Sequence, residues 1–100
     1  MKVSEVLTEA RAEVEKGWYQ GGYEDGYGGV CALGAIRRVV AKTIHPFLCY
    51  QDAHFPLAEK LQEIYGFDSI SQFNDEPTTT KQDVLDLFDK TIIGLEEVGR

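Results

Sequence analysis

The sequence predicts an all-α fold: a single compact domain, residues 1–100, of about four helices. A tyrosine- and glycine-rich loop or small hairpin precedes the central helix. Three observations carry this expectation. Apolar residues recur at three- and four-residue spacing in separate stretches near the start, middle and end of the chain, the period of one helix face. Val30–Lys42 is apolar on nearly all sides, which marks a buried helix. Gly17, Pro46, Gly66 and Pro77 fall between these stretches, where helices stop or start.

Taken in order, Val3, Val6, Leu7, Ala10 and Val14 form one face of a first helix, with Glu5, Glu9, Glu13 and Glu15 on the other. Gly17 is expected to end it in a left-handed conformation, with Trp18 folding back over the last turn. Gly17–Gly29 holds six of the ten glycines, too many for a helix at about 1 kcal/mol each. Glu24-Asp25-Gly26 is turn chemistry and predicts a hairpin flanked by Tyr23 and Tyr27. Arg37, Arg38 and Lys42 mark the exposed edge of the central helix, at the end its dipole favours for cations. Thr43–Gln51 reads as a connection broken by Pro46, packed down by Phe47, Leu48 and Tyr50. A helix over Asp52–Tyr65 follows, with Pro56 in its first turn and Leu57, Leu61 and Ile64 inside. Gly66 ends it and Phe67 folds back. Ile70 and Phe73 anchor a short segment. Thr80-Lys81-Gln82-Asp83 resembles a capping box opening a last helix lined by Val84, Leu85, Phe88, Ile92, Leu95 and Val98, with an Asp86–Lys90 pair one turn apart.

Composition narrows the function classes. The net charge of −7 argues against nucleic acid, whose phosphates are bound through Lys and Arg, and suits a protein kept in solution by its charge. Two cysteines, Cys31 and Cys49, are too few for a disulfide framework and sit in apolar surroundings, so free thiols in a reducing compartment are expected. The N-terminus has no apolar leader segment, and no apolar run approaches the ~20 residues of a membrane span. A cytoplasmic location follows. His45 and His54 stand nine residues apart and the cysteines 18 apart, whereas zinc sites show closer ligand pairs. No metal and no cofactor is expected.

Two stretches could carry chemistry. Cys31 near a helix N-terminus could have a lowered thiol pKa, with His45 or His54 as base and Asn74 or Asp75 as orienter, the residue set of a thiol hydrolase. Gly26-Tyr27-Gly28-Gly29 could present backbone N–H groups to a phosphate or carboxylate, although neither a P-loop nor a dinucleotide fingerprint is present. Against these stand a core cysteine and a packed turn. Asn74-Asp75 reads first as cap chemistry. A recognition role there needs the fold to bring Phe73-Asn74-Asp75 beside Trp18 and Cys31.

Gly17-Trp18, Cys31-Ala32-Leu33-Gly34-Ala35-Ile36 and Phe73-Asn74-Asp75, in that order before a Val/Leu-rich helix, resemble a family of short uncharacterised proteins from actinobacteria and their phages. In that family Phe73 is usually Trp, and a second Cys often stands at Val30. The resemblance implies a phage or prophage accessory context and no catalytic residues. The expected function is therefore binding: a small acidic accessory protein engaging a host or phage protein. Its contact residues would be Trp18, Tyr19, Tyr23, Glu24, Asp25, Tyr27, Gly28, Gly29, Asn74 and Asp75. Self-association is left open. The thiol enzyme and the small-anion binder are the alternatives.

Overall fold

The computed structural model describes all 100 residues and contains five helices: α1 (Val3–Lys16), α2 (Ala32–Val40), α3 (Pro46–Tyr65), α4 (Ile70–Asp75) and α5 (Lys81–Glu97). α1 packs between α5 and α2, α3 lies across α2 and α5, and the short α4 bridges α2 and α3. One core runs through all of them. Val6, Leu7, Ala10 and Val14 of α1 meet Leu33, Ile36, Val39 and Val40 of α2, Leu57 and Leu61 of α3, and Val84, Leu87 and Phe88 of α5. The helix periods read from the sequence are the faces that bury, because each helix has one apolar stripe and the domain has one interior.

The helix ends show where local sequence suffices. Thr80 and Asp83 form the predicted capping box, with Asp83 N donating to Thr80 Oγ1 and Thr80 N to Asp83 Oδ2. Gly66 ends α3 at φ 73°, in the left-handed region, where a Cβ would be strained. Phe67 then folds back on Phe73, ring centroids 5.5 Å apart. Gly17 differs. It sits at φ −171°, extended backbone open to any residue, so α1 is not closed by a left-handed glycine.

α3 corrects the expected boundary. It begins at Pro46, not Asp52, and Pro56 lies inside it. Pro46 takes the first-turn place, where the missing N–H costs nothing. Pro56 forgoes the bond to the Asp52 carbonyl, and Ala53, Leu57 and Leu61, all fully buried, hold the helix together across it. Starting the helix earlier turns Phe47 and Leu48 outward, 70% and 56% exposed, against the expectation that both are packed down. Ile64 and Val98 also end up exposed. In α5 the Asp86–Lys90 pair is not made: Gln82 donates to Asp86 Oδ1 and Lys90 lies over the Tyr65 ring. No helix is long and apolar enough to cross a membrane.

Candidate functional site

The segment Gly17–Cys31 is a loop pinned by isolated backbone bridges at Val30 and by the Cys31–Tyr23 and Asp25–Gly29 backbone bonds around it, and it contains no extended strand. Val30 bridges to Trp18 on one side and to Glu24 on the other. Tyr19 N donates to Val30 O, Val30 N to Gly17 O, and Cys31 N to Tyr23 O. Val30 is fully buried, so the loop wraps a core residue and leads directly into α2. The tip, Asp25–Gly29, closes around one carboxylate: Asp25 Oδ1 accepts from Tyr27 N at 2.7 Å and Gly29 N at 3.0 Å. Gly26 and Gly28 take positive φ, as such a tight turn requires. Arg38 ties the loop to α1, donating to Glu13 Oε1 at 3.0 Å and Gly28 O at 3.3 Å, with Glu24 3.8 Å away.

Asn74 is the second clasp. It is buried, and its amide is fully used. Oδ1 accepts from Trp18 Nε1 at 2.9 Å and Ala32 N at 3.1 Å; Nδ2 donates to Tyr19 O at 3.0 Å and Asp75 Oδ1 at 3.1 Å. Gln20 donates to the carbonyls of Asn74 and Glu76, and Asp75 Oδ1 accepts from Gly21 N. The fold thus brings Phe73-Asn74-Asp75 beside Trp18 and Cys31. Asn74 and Asp75 reach from α4 to cap the start of α2 and to fasten the loop.

These clasps engage most of the residues singled out from the sequence. The glycine loop as an anion cradle is filled by the chain itself, since the amides of Tyr27 and Gly29 already bind the Asp25 carboxylate. Trp18, Tyr19, Asp25, Gly28, Gly29, Asn74 and Asp75 are engaged in holding the loop, and Glu24 faces Arg38. Tyr23 and Tyr27 remain, 49% and 95% exposed.

Cys31 is the N-cap of α2, with Sγ accepting from Gly34 N at 3.2 Å. It borders a cleft of about 190 Å³ with Gly21, Gly22, Tyr23, Ser71 and Asp75. Burial pushes the thiol above its ordinary 9.0, outweighing the backbone N–H groups of Gly34 and Leu33, and the Asp75 carboxylate pushes the same way. This reverses the lowering expected at a helix N-terminus, because desolvation of the thiolate exceeds the help from the amides. His45 is exposed at the start of α3. His54 stacks on Tyr50 at 5.8 Å. Neither is among the hydrogen-bond partners of Cys31 or Asn74. Cys31 is thus a buried helix cap whose thiol pKa is raised by desolvation, with neither histidine among its hydrogen-bond partners. No cluster of three or more His, Cys, Asp and Glu is placed to hold a metal ion.

Burial also raises Tyr50 and Tyr65 from 10.0. A group with a raised folded pKa favours its neutral form, so its contribution is complete below the unfolded value and is lost as pH rises through the folded one. Fold stability is therefore expected to fall as pH climbs above about 9. The urea midpoint measured from neutral to strongly alkaline pH checks this, and Cys31→Ser should flatten the first part of the decline. A midpoint that stays level would contradict it.

A feature the sequence reading missed adjoins Tyr23. The Arg37 guanidinium carbon sits 4.1 Å from the Tyr23 ring centroid, and this stack borders an open groove of about 450 Å³ walled by Val40, Pro46, Phe47 and Tyr50. Unlike Arg38, Arg37 has no carboxylate partner. The available signal was α3 itself. Phe47, Leu48, Tyr50, Phe55 and Leu57 cover more than one face, and a helix on the outside of a small domain buries only one.

Residues 1–93 match the family described as Family of unknown function (DUF6197). The chain belongs to this family. The match spans both clasps, the Val30 crossing and most of α5, so the whole loop-and-bundle arrangement lies within the DUF6197 region. No curated protein and no solved structure matches the chain.

Proposed function

We propose that this DUF6197 chain is a small protein-binding domain whose contact surface is the rigid loop tip at Tyr27 together with the Tyr23–Arg37 stack and its groove. The observation that carries this reading is Tyr27. Its side chain is 95% exposed, yet its backbone is fixed by the Asp25 carboxylate and two positive-φ glycines. On a backbone already held, an aromatic has only its two side-chain torsions left to order on binding, and Tyr, Trp and Arg dominate interface hot spots. The groove beside Tyr23 adds apolar walls and an unpaired guanidinium, which suits a partner segment bearing an apolar side chain next to a carboxylate. The resemblance to short actinobacterial and actinophage proteins supports an accessory role in a host cytoplasm, and the net charge of −7 suits a dissolved one.

The test places a photo-crosslinking amino acid at Tyr27, at Tyr23 and at the exposed control position Glu96 in cells that naturally carry the protein. One protein adduct shared by the two loop positions and missing from the control is the expected result. With that partner purified, Tyr27→Ala should weaken binding on the order of thirtyfold without moving the melting temperature. Asp25→Ala, which keeps the tyrosine but frees the tip, should weaken it too. Equal adducts at all three positions, or none, would rule the loop out as the contact.

A further inference from the structure

Charge on this chain is segregated, and the Tyr23–Arg37 groove lies in its positive part. Residues 26–51 include Arg37, Arg38 and Lys42 but no Asp or Glu, while all 17 acidic residues lie outside that stretch. Apart from Tyr23, every side chain lining the groove comes from the acid-free stretch. We infer that the groove receives the carboxyl-terminal residue of a partner chain, with its terminal carboxylate on Arg37 and a large apolar side chain against Val40, Pro46 and Phe47. This rests on the reading of the groove as a contact surface and names what enters it.

The charged groups around the groove favour an anion. Arg38 is taken by Glu13, Gly28 and Glu24. Arg37 belongs to no ion pair and is held over the Tyr23 ring. Its N–H fork is left for a carboxylate, which it matches with two parallel hydrogen bonds. Burial raises the Tyr50 hydroxyl above its ordinary 10.0 and Tyr23 adds to this, while Arg37 pulls it back; no Asp or Glu acts there. The carboxylates nearby in the chain face elsewhere. Glu24 lies toward Arg38, Asp75 accepts from Gly21 N and Asn74 Nδ2, and Asp52, two residues on from Tyr50, is about 200° round α3. His45 caps α3 beside Pro46 and His54 stacks on Tyr50, so neither brings negative charge.

A chain end fits this groove better than a segment passing through it. The walls belong to α2, the start of α3 and one loop tyrosine, with no strand edge to bond an extended backbone. The last α2 carbonyls, of Arg37, Val39 and Val40, are already taken by the amides of Ala41, Lys42 and Thr43. In an extended segment neighbouring side chains point to opposite faces, so an acid next to an apolar residue cannot send both into one groove. A terminal residue carries its carboxylate and its side chain on one Cα, and both enter together. Arg37 and Val40 are three residues apart in α2 and so neighbours on one helix face, which suits that spacing. The volume of about 450 Å³ falls within the range of about 300–1,000 Å³ of small-ligand sites, room enough for one large residue.

Titration of the isotope-labelled full chain with N-acetylphenylalanine, followed by amide chemical shifts, tests the site without any partner. A Kd on the order of 1 mM is expected for so small a ligand, with the largest shifts at residues 37–50. N-acetylphenylalaninamide, which lacks the charge, should bind about tenfold more weakly. Arg37→Gln should abolish that preference, and Phe47→Ala should weaken both ligands. Both side chains are exposed, so each variant should keep the wild-type amide spectrum away from the groove. If Arg37→Gln does not fold, Arg37→Lys, which loses the fork, should narrow the preference instead. Equal binding of acid and amide overturns the inference, as does a preference untouched at position 37, or no shift at residues 37–50 up to about 10 mM. So does tighter binding of a blocked peptide with aspartate two residues before phenylalanine, which would assign the groove to an internal segment. A failed titration beside a Tyr27 adduct would strike the end capture alone, whereas a successful one without any adduct would strike the loop tip and keep the groove.

Discussion

Gly34→Ala is expected to destabilise the fold by about 3 kcal/mol, the net of two opposing effects. Within a helix, replacing Gly by Ala normally gains up to about 1 kcal/mol. At Gly34 the added Cβ would lie 2.0 Å from the Tyr23 carbonyl oxygen and 2.8 Å from its carbon. These are backbone atoms, so no rotamer change relieves the overlap and the loop has to move away from α2. Moving it breaks the bond from Cys31 N to Tyr23 O and leaves a buried donor unpaired, at about 1–3 kcal/mol, on top of about 1–3 kcal/mol for overpacking. The clash wins. For a domain of this size the loss corresponds to a fall in melting temperature of roughly 10–25 °C. Gly94→Ala is the matched control: its Cβ meets nothing within 4 Å, so the helix-propensity gain should appear alone, at about 0.5–1 kcal/mol of stabilisation. If both variants stabilise, the close approach of the loop to α2 is not the native one.

Asn74→Ala is expected to cost more, about 3–5 kcal/mol. Truncation removes the acceptor shared by Trp18 Nε1 and Ala32 N and the donor to Tyr19 O. At least the Ala32 amide is buried, where an orphaned group costs about 1–3 kcal/mol. The loop, the start of α2 and α4 all meet at this amide, so the three losses arrive together. Against a typical total of about 5–15 kcal/mol, such a variant is near the edge of folding at 37 °C. Chemical denaturation checks the size. Asn74→Asp checks the cause: it keeps the acceptor for Trp18 and Ala32, but its charge falls beside the Asp75 carboxylate, 3.1 Å from the present Nδ2. Such a carboxyl has its folded pKa raised, so its neutral form is the stabilising one and the variant should be firmer in mild acid than at neutral pH. An Asn74→Ala loss under 1 kcal/mol would make Asn74 an incidental partner.

The two expectations draw on residues that sequence reading treated unequally. A glycine inside an apolar helix costs stability unless something needs the space, so Gly34 as it stands in the sequence is consistent with a close backbone approach. Asn74 was legible only as a conditional, and the condition is met: the fold brings it to Trp18 and Cys31. In the structure its amide clasps the loop to the start of α2. The thiol reading of Cys31 rested on helix position, which fixes where the dipole points and not how much water is removed. Burial decides that, and it moves the thiol the other way.

What the amino-acid order determined by itself is local and periodic. The helical class, the buried stripes of α1, α2 and α5, the Thr80–Asp83 box and the Gly66 stop all follow from interactions within a few residues, which a linear pattern carries in full. The roles of Pro46 and Pro56 were exchanged because both fit a first helical turn, and only the packing of Ala53, Leu57 and Leu61 chooses between them. Tertiary structure alone decided the rest. Asn74 caps a helix that starts 42 residues earlier in the chain. Asp25 fills the cradle that the glycines shape, and Phe47, Leu48 and Phe55 lie outside because one helix buries one face. Each of these depends on partners brought together only by the folded chain, or on the single interior they compete to fill.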